Sequence, residues 1–118
     1  MIAQSLALLT EDVELFEEPL DPSQVIAGTP TVSSRVLDES SDGTVVRGIW
    51  RITPGVVTDT EADEIFVVIS GSATVEVEGG ATLQLRPGSI GLLAQGDRTV
   101  WTVHETLTKV FQFNHQAK

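Results

Sequence analysis

The stretch that decides the fold is TPGVVTDTEADEIFVVISG, residues 53–71. It begins with the pair Pro54-Gly55, passes through an acidic cluster, and enters a run of β-branched and aromatic residues that ends at Ser70-Gly71. Proline fixes φ and glycine permits positive φ, so the pattern predicts an exposed turn that leads into a buried strand. The carboxylates therefore lie at the start of an apolar strand, next to the predicted core.

The chain around this stretch repeats the same alternation of short strands and turns. Between residues 24 and 113, runs rich in Val, Ile and Thr are separated by turn signals such as Asp42-Gly43, Gly79-Gly80 and Pro87-Gly88. Roughly eight to ten short strands at nearly regular spacing predict an all-β sandwich, jelly roll or barrel of antiparallel strands.

Upstream of these strands the sequence predicts an arm. Its apolar residues recur at spacings of three and four, which favours one face of an amphipathic helix: Leu6, Leu9, Val13, Phe16 and Leu20. Residues 13–15 also fit a short strand, and Pro19 and Pro22 would end a helix. We expect residues 1–43 to form this arm and the first strands, packed on the barrel or on a partner subunit, and residues 44–118 to form the barrel core of a single domain.

Composition excludes several classes of protein. The chain has 118 residues and no cysteine, so we expect one domain with no disulfide and no thiolate chemistry. Its formal net charge of −10 repels nucleic acid and anionic membrane surfaces. The apolar first residues lack the basic segment of a secretory signal, and no run approaches the ~20 apolar residues of a membrane span. We expect a cytoplasmic protein with neither nucleic acid nor membrane as a partner.

Several segments of the strand region together resemble one known family. They are Gly48-Ile49-Trp50, Thr53-Pro54-Gly55, Asp63-Glu64, Ile69-Ser70-Gly71, Arg86-Pro87-Gly88, Ala94-Gln95-Gly96, Trp101, His104-Glu105-Thr106-Leu107 and Lys109-Val110. In this combination the chain resembles the cupin superfamily, in the small single-domain branch of ureidoglycine aminohydrolase-type and ethanolamine-utilisation-type proteins. The resemblance implies an all-β, single-domain double-stranded β-helix, which is the cupin jelly-roll barrel, with an N-terminal arm and a homodimeric assembly.

The metal motifs of that family are incomplete in this chain. Glu64 matches the glutamate of the first motif, with six residues between it and Gly71. The motif's two histidine positions hold other residues, Val57 and Asp59 or, with the shorter spacing, Thr58 and Thr60. The histidine position of the second motif falls on Thr99. We therefore expect no cofactor, or at most a divalent cation held weakly by Asp59 and Glu64, with Glu61 and Asp63 as solvated turn charges.

The interior of the barrel offers a candidate pocket. Period-two spacing places Glu64 with Phe66 on one strand face and Thr99 with Trp101 on another, and Trp50 and Trp101 suit the walls of a small planar or sugar-like ligand as well as plain core packing. The candidate catalytic residue is Glu64, as a general acid or base, and the candidate pocket residues are Trp50, Arg51, Phe66, Thr99 and Trp101.

The register of the strand at residues 48–53 stays open. With Trp50 inward, Glu64 lies near aromatic walls, where burial raises its pKa. With Arg51 inward, an ion pair between Arg51 and Glu64 would keep the carboxylate ionised. His104 has the opposite strand parity to Thr99, so it faces away from the interior, and His115 is expected at the surface near the end of the chain.

Three functions fit these observations. The first is a cupin without the usual metal-binding histidines that binds a small polar metabolite in the barrel or processes it by weak acid–base chemistry. The second, which the resemblance implies, is a hydrolase or lyase with Mn or Mg held by carboxylates, acting on a ureido or amino compound. The third is a non-catalytic structural dimer, because the strand at 65–69 is apolar on both faces and its outer face needs a cover.

Overall fold

The computed structural model describes residues 2 and 4–115. Over these residues the chain forms nine strands and two 3-10 helices. The helices are Thr10–Asp12 and Pro22–Gln24; the strands are β1 (Phe16–Glu18), β2 (Val25–Ala27), β3 (Val32–Glu39), β4 (Val45–Ile52), β5 (Gly55–Thr60), β6 (Asp63–Val77), β7 (Thr82–Leu85), β8 (Ile90–Leu93) and β9 (Arg98–Asn114). No helix in this part of the chain is long and apolar enough to cross a lipid bilayer.

The long strand β9 organises the fold because it pairs with three other strands. Its first part, residues 98–103, is antiparallel to β5, and its second part, residues 107–114, is antiparallel to β4. Along its other edge it pairs with β6. Beyond β4 lie β3 and β1, β2 lies beyond β5, and β7 and β8 pair with the two halves of β6. The strands form two connected antiparallel sheets, which confirms the predicted all-β jelly roll.

The two sheets meet at a corner where β6 and β9 bend together. The pairing of these strands shifts register several times between Val68 and Ala73. Gly71 lies inside this interval with φ +85°, and a Cβ there would overlap the carbonyl oxygen of Thr106. Only glycine permits this backbone conformation and this close approach. The sequence predicts separate strands before and after this corner. In the structure β6 and β9 each continue through it as one bent strand.

The core fills the space between the two sheets. Along the first half of β6 the buried side chains have even numbers, and beyond the corner they have odd numbers, because the register shifts reverse the parity. The core residues are Val32, Val46, Ile52, Phe66, Val68, Leu93, Leu107 and Phe111 from one sheet and Val57, Ala73, Val75, Leu85, Trp101 and Val103 from the other. Removal of this apolar surface from water is the main stabilising contribution to the fold.

The N-terminal arm does not form the helix that its periodicity favours. Over the described residues before Pro19 the arm has one 3-10 turn, Thr10–Asp12, and Phe16–Glu18 pairs as β1 with the edge of β3. Leu6 and Leu9 are mostly exposed, so their helical spacing buries no face. After Pro19 the arm crosses the open end of the barrel, where Leu20 packs against the core.

Candidate functional site

Beneath the arm, a cavity of about 400 Å³ opens at one end of the barrel. Strands β4, β5, β6 and β9 supply its walls, and the arm lies across its mouth. Its lining includes Trp50, Thr58, Asp59, Glu61, Glu64, Trp101, Lys109 and His115 from the barrel and Glu18, Leu20 and Gln24 from the arm. Aromatic side chains and carboxylates therefore share one cavity that is open to solvent at its mouth.

Lys109 and Glu64 form a buried ion pair in this space. Both residues point inward, since Lys109 shares the parity of Leu107 and Phe111 in β9 and Glu64 that of Phe66 in β6. The Nζ atom of Lys109 donates a hydrogen bond to Oε2 of Glu64 at 2.7 Å. The two side chains are only 7% and 8% exposed. Each charge thus depends on the other for its compensation.

Three aromatic rings surround the ammonium group of Lys109. Its Nζ lies 4.5 Å from the centroid of the Trp50 ring, 4.6 Å from that of Phe66 and 4.9 Å from that of Trp101. The rings of Trp50 and Trp101 meet edge to face at 5.6 Å. A cation within ~6 Å of an aromatic face is attracted by the ring quadrupole, and more strongly where water is excluded. Lys109 is therefore held by one carboxylate and three rings.

Glu61 lies in the turn between β5 and β6 and is 7% exposed. Its Oε2 accepts hydrogen bonds from Oγ1 of Thr99 at 2.6 Å and from Nε1 of Trp101 at 3.2 Å. The backbone of Glu61 is fixed by two hydrogen bonds to the turn between β8 and β9, with Gly96 and Asp97. The expectation that Glu61 is a solvated turn charge is wrong, because this turn folds its side chain into the barrel.

The pKa values of the Asp59 and Glu64 carboxyl groups are both raised above their ordinary values. Burial and the neighbouring charge of Glu61 raise the pKa of Asp59 to about 6, although the Thr60 amide and Lys109 act in the opposite direction. Burial also raises the pKa of Glu64, and the adjacent Lys109 offsets only part of this effect. The walls of the cavity therefore disfavour the ionised form of both groups, even though the mouth leaves Asp59 in contact with solvent.

The structure brings together most of the residues that the sequence selects for the site. Glu64, Trp50, Phe66 and Trp101 all contact the head group of Lys109. Thr99 lies behind this group, where it donates to Glu61.

Arg51 does not join them. It lies on the outer face of β4, and its Nε donates to Oγ1 of Thr108 at 3.0 Å. The strand therefore adopts the register with Trp50 inward, so Arg51 does not line the cavity and forms no ion pair with Glu64. Lys109, and not Arg51, forms the ion pair with Glu64.

Sequence reasoning included Lys109 in the family resemblance but gave it no place in the site. The signal that could find it is parity, because this lysine alternates with Leu107, Phe111 and Phe113 on the apolar face of its strand. Lysine is seldom fully buried unless it is paired. A lysine on such a face therefore indicates a buried carboxylate opposite.

The two histidines lie outside the centre of the site. His104 is on the outer face of the second sheet, with Nε2 at 3.0 Å from Oγ1 of Thr74. His115 packs edge to face on Phe113, with ring centroids 4.8 Å apart, and reaches the rim of the cavity. It is exposed, as expected from its place in the sequence.

The residues of the cavity do not fit the metal centre that the family resemblance implies. Among residues 2 and 4–115, no group of three or more His, Cys, Asp or Glu side chains is arranged to hold a metal ion. The Oε2 atom of Glu64 already binds an ammonium group. The positive charge of Lys109 opposes the approach of a second cation to that carboxylate.

The comparison of the sequence with known families agrees with this fold. The model of the EutQ-like cupin domain matches residues 39–111. The chain belongs to this cupin family. No curated protein matches it.

Several solved structures resemble the chain. One is a protein of unknown function from Pseudomonas syringae pv. tomato, 27% identical with a TM-score of 0.78; the match covers 88% of this chain and 46% of that one, so the chain spans about half of its length. A putative ethanolamine utilization protein from Salmonella typhimurium is 20% identical, with a TM-score of 0.63 over 75% of this chain and 72% of that one. The EutQ protein of Clostridium difficile is 15% identical, with a TM-score of 0.64 over 82% and 80%. The last two likenesses concern the fold alone.

Proposed function

We propose that this cupin binds a small polar metabolite in the cavity at the mouth of its barrel, without a metal. The observation that carries the proposal is the buried Lys109–Glu64 pair beneath Trp50 and Trp101. Lys109 supplies the fixed positive charge that a metal ion would otherwise bring to Glu64. The aromatic rings hold Lys109 in place and form a wall against which a ligand can pack.

The Lys109–Glu64 pair gives the pocket a rigid base. A buried ion pair with a short hydrogen bond fixes two long side chains in one arrangement. Trp50 and Trp101 pack on this pair and are thereby preorganised for a ligand. Glu64 keeps its proposed role as an acid or base, and this role is supported by burial, which raises its pKa toward the range useful for proton transfer.

The first experiment compares Lys109→Met with Glu64→Gln and with the double variant. Either single change leaves a buried polar partner uncompensated, so we expect each to lower the free energy of unfolding by roughly 3–5 kcal/mol and the double variant to recover part of this loss. Urea denaturation measures the three values. Arg86→Met, which removes an exposed cation in a turn, should leave stability nearly unchanged.

The second measurement decides whether the site works without a metal. Elemental analysis of protein purified without a histidine tag should find far less than one transition metal per chain. Titration with a panel of small metabolites should change the emission of the two tryptophans. The double variant, which removes the charges of the Lys109–Glu64 pair but keeps the cavity, should lose this response. One tightly bound Mn, Zn, Ni or Fe per chain would overturn the proposal in favour of a metal-dependent hydrolase or lyase.

We also propose that two copies of the chain associate through the outer face of β6 and β8. Ile65 and Ile69 on β6 and Ile90 and Leu92 on β8 are all exposed there, the last two at 72% each. Over the described residues β8 pairs only with β6, so its other edge is open. Apolar side chains beside an open strand edge favour association with another chain. The cytoplasmic location and the exclusion of nucleic acid and membrane stay predictions from the sequence.

A further inference from the structure

The charges that line the cavity do not balance. The lining carries four carboxyl groups, those of Asp59, Glu61 and Glu64 and, from the arm, that of Glu18, and Lys109 is the only lysine or arginine that joins them there. Lys109 is committed to Glu64 by a 2.7 Å hydrogen bond. Asp59 and Glu61 are close enough that the charge of Glu61 acts on Asp59. These two acids therefore lack a cation of their own within the described chain.

Glu61 presents an oxygen atom to the cavity. Its Oε2 accepts two hydrogen bonds, whereas no donor in the described chain reaches its Oε1. Every fully buried side-chain oxygen of the described chain has a hydrogen-bond partner. Because Oε1 of Glu61 has none, this atom is accessible to solvent, although the residue as a whole is 93% buried. Since Glu61 lines the cavity, the cavity is the route by which a donor can reach Oε1.

The site also shows how it holds an ammonium group. Lys109 is bound by a carboxylate and by the faces of Trp50, Phe66 and Trp101. Trp50 is only partly buried and lines the cavity, so it remains available to a ligand. A carboxylate beside an aromatic face attracts organic cations both by charge and by the ring quadrupole.

We infer that the cavity selects a small organic cation, with a protonated amino or guanidinium group between Asp59 and Oε1 of Glu61 and its carbon skeleton against Trp50. This inference rests on the proposed function and names the class of its ligand. The cation donates hydrogen bonds to the two carboxylates and brings the positive charge that the lining lacks. A neutral or anionic molecule of the same shape leaves this pair of acids uncompensated.

The test uses two series of probes of similar size and carbon skeleton whose polar group is cationic, neutral or anionic. The first is benzylammonium, benzyl alcohol and benzoate, and the second is ethylammonium, ethanol and acetate. Binding to the full chain is followed by tryptophan emission and by calorimetry at constant pH and ionic strength. We expect each ammonium probe to bind at least tenfold more tightly than its neutral partner. Asp59→Asn and Glu61→Gln should each weaken binding of benzylammonium about tenfold, while the exposed Glu39→Gln should leave it unchanged.

The other outcomes separate this inference from the proposed function. If benzyl alcohol or benzoate binds as tightly as benzylammonium, the site binds small molecules but does not select cations, and only the inference fails. If Mg²⁺ or Mn²⁺ displaces benzylammonium and loses affinity in Asp59→Asn, the acids form a metal site and both ideas fail. If no probe or metabolite of any charge binds the folded protein, both also fail. Glu61→Gln retains an acceptor for Thr99 and Trp101, so its fold should survive; Asp59→Asn alone decides the matter if it does not.

Discussion

At position 109 a lysine stands where its strand otherwise places apolar side chains. Burying an ammonium group costs several kcal/mol of hydration. In this cupin the cost is offset by Glu64 and by contact with three rings. None of these contributions is local in sequence, because Glu64 lies 45 residues upstream of Lys109. The site therefore forms only because strand pairing in this register brings these distant residues together.

The pKa of Asp59 leads to a prediction about pH. Its ordinary value is 3.8, and burial and Glu61 raise it to about 6 in the folded protein. The folded state therefore binds this proton more tightly than the unfolded chain, so Asp59 stabilises the fold below about pH 4 and this contribution is lost as the pH rises through about 6. Measured by urea denaturation, the stability of the wild type relative to Asp59→Asn should decline across this interval.

A second comparison isolates the effect of Asp59. Because Glu64 also has a raised pKa, it contributes the same trend to both proteins and cancels in the difference. The free energy of unfolding of the control variant Glu39→Gln, at an exposed position, should change with pH in parallel with that of the wild type. A constant difference between wild type and Asp59→Asn over the whole interval would show that Asp59 is hydrated normally.

Much of the site could be predicted from local patterns. Period-two spacing places Glu64, Phe66 and Trp101 on inward faces, and the structure agrees. The choice between Trp50 and Arg51 could not be made, since either register of an eight-residue strand satisfies its own alternation. It is decided by the pairing of Trp50 with Lys109 across β4 and β9.

At the scale of elements, the corner in β6 and β9 departs most from the sequence prediction. Ser70-Gly71 resembles the end of a strand, and glycine usually marks such an end. Pairing with β9 instead continues on both sides of Gly71, so tertiary contacts carry the strand through the bend. The prediction for the arm fails for the same reason. Its five apolar residues have helical spacing, but pairing of Phe16–Glu18 with β3 outweighs that local preference.

Gly71→Ala should disrupt this corner. The new Cβ would meet the carbonyl oxygen of Thr106 and would sit on a backbone with φ +85°. Positive φ costs an L-residue about 1–2 kcal/mol, and overpacking adds roughly 1–3 kcal/mol, so we expect a loss of about 2–5 kcal/mol in the free energy of unfolding. Thermal and urea denaturation check this value.

Gly79→Ala is the matched control for that variant. Gly79 has a similar φ of +72°, but nothing lies within 4 Å of a Cβ built there. It should therefore lose only the conformational part, about 1–2 kcal/mol. Equal losses in the two variants would mean that close packing at the corner contributes little.

At the scale of the whole molecule, the exposed face of β6 and β8 predicts an assembly. Static light scattering should give twice the mass of one chain, and Leu92→Glu should reduce it to the mass of one chain by placing like charges across the interface. Ile26→Glu is the control, since Ile26 is 59% exposed on β2 in the other sheet. A wild-type mass of one chain would contradict the proposed dimer.

The central place of β9 also constrains the order in which the protein can fold. Val45 pairs with Asn114 and Gly55 with Val103, so the sheet of β4 cannot close before residues 107–114 are available, nor the sheet of β5 before residues 98–103. Pairings between such distant residues make folding slow, because the entropy of closing a long loop must be lost before the contacts form. During that delay the apolar faces of β4, β5 and β6 stay open to wrong partners. We therefore expect nascent chains of this cupin to expose these faces until β9 is available for pairing.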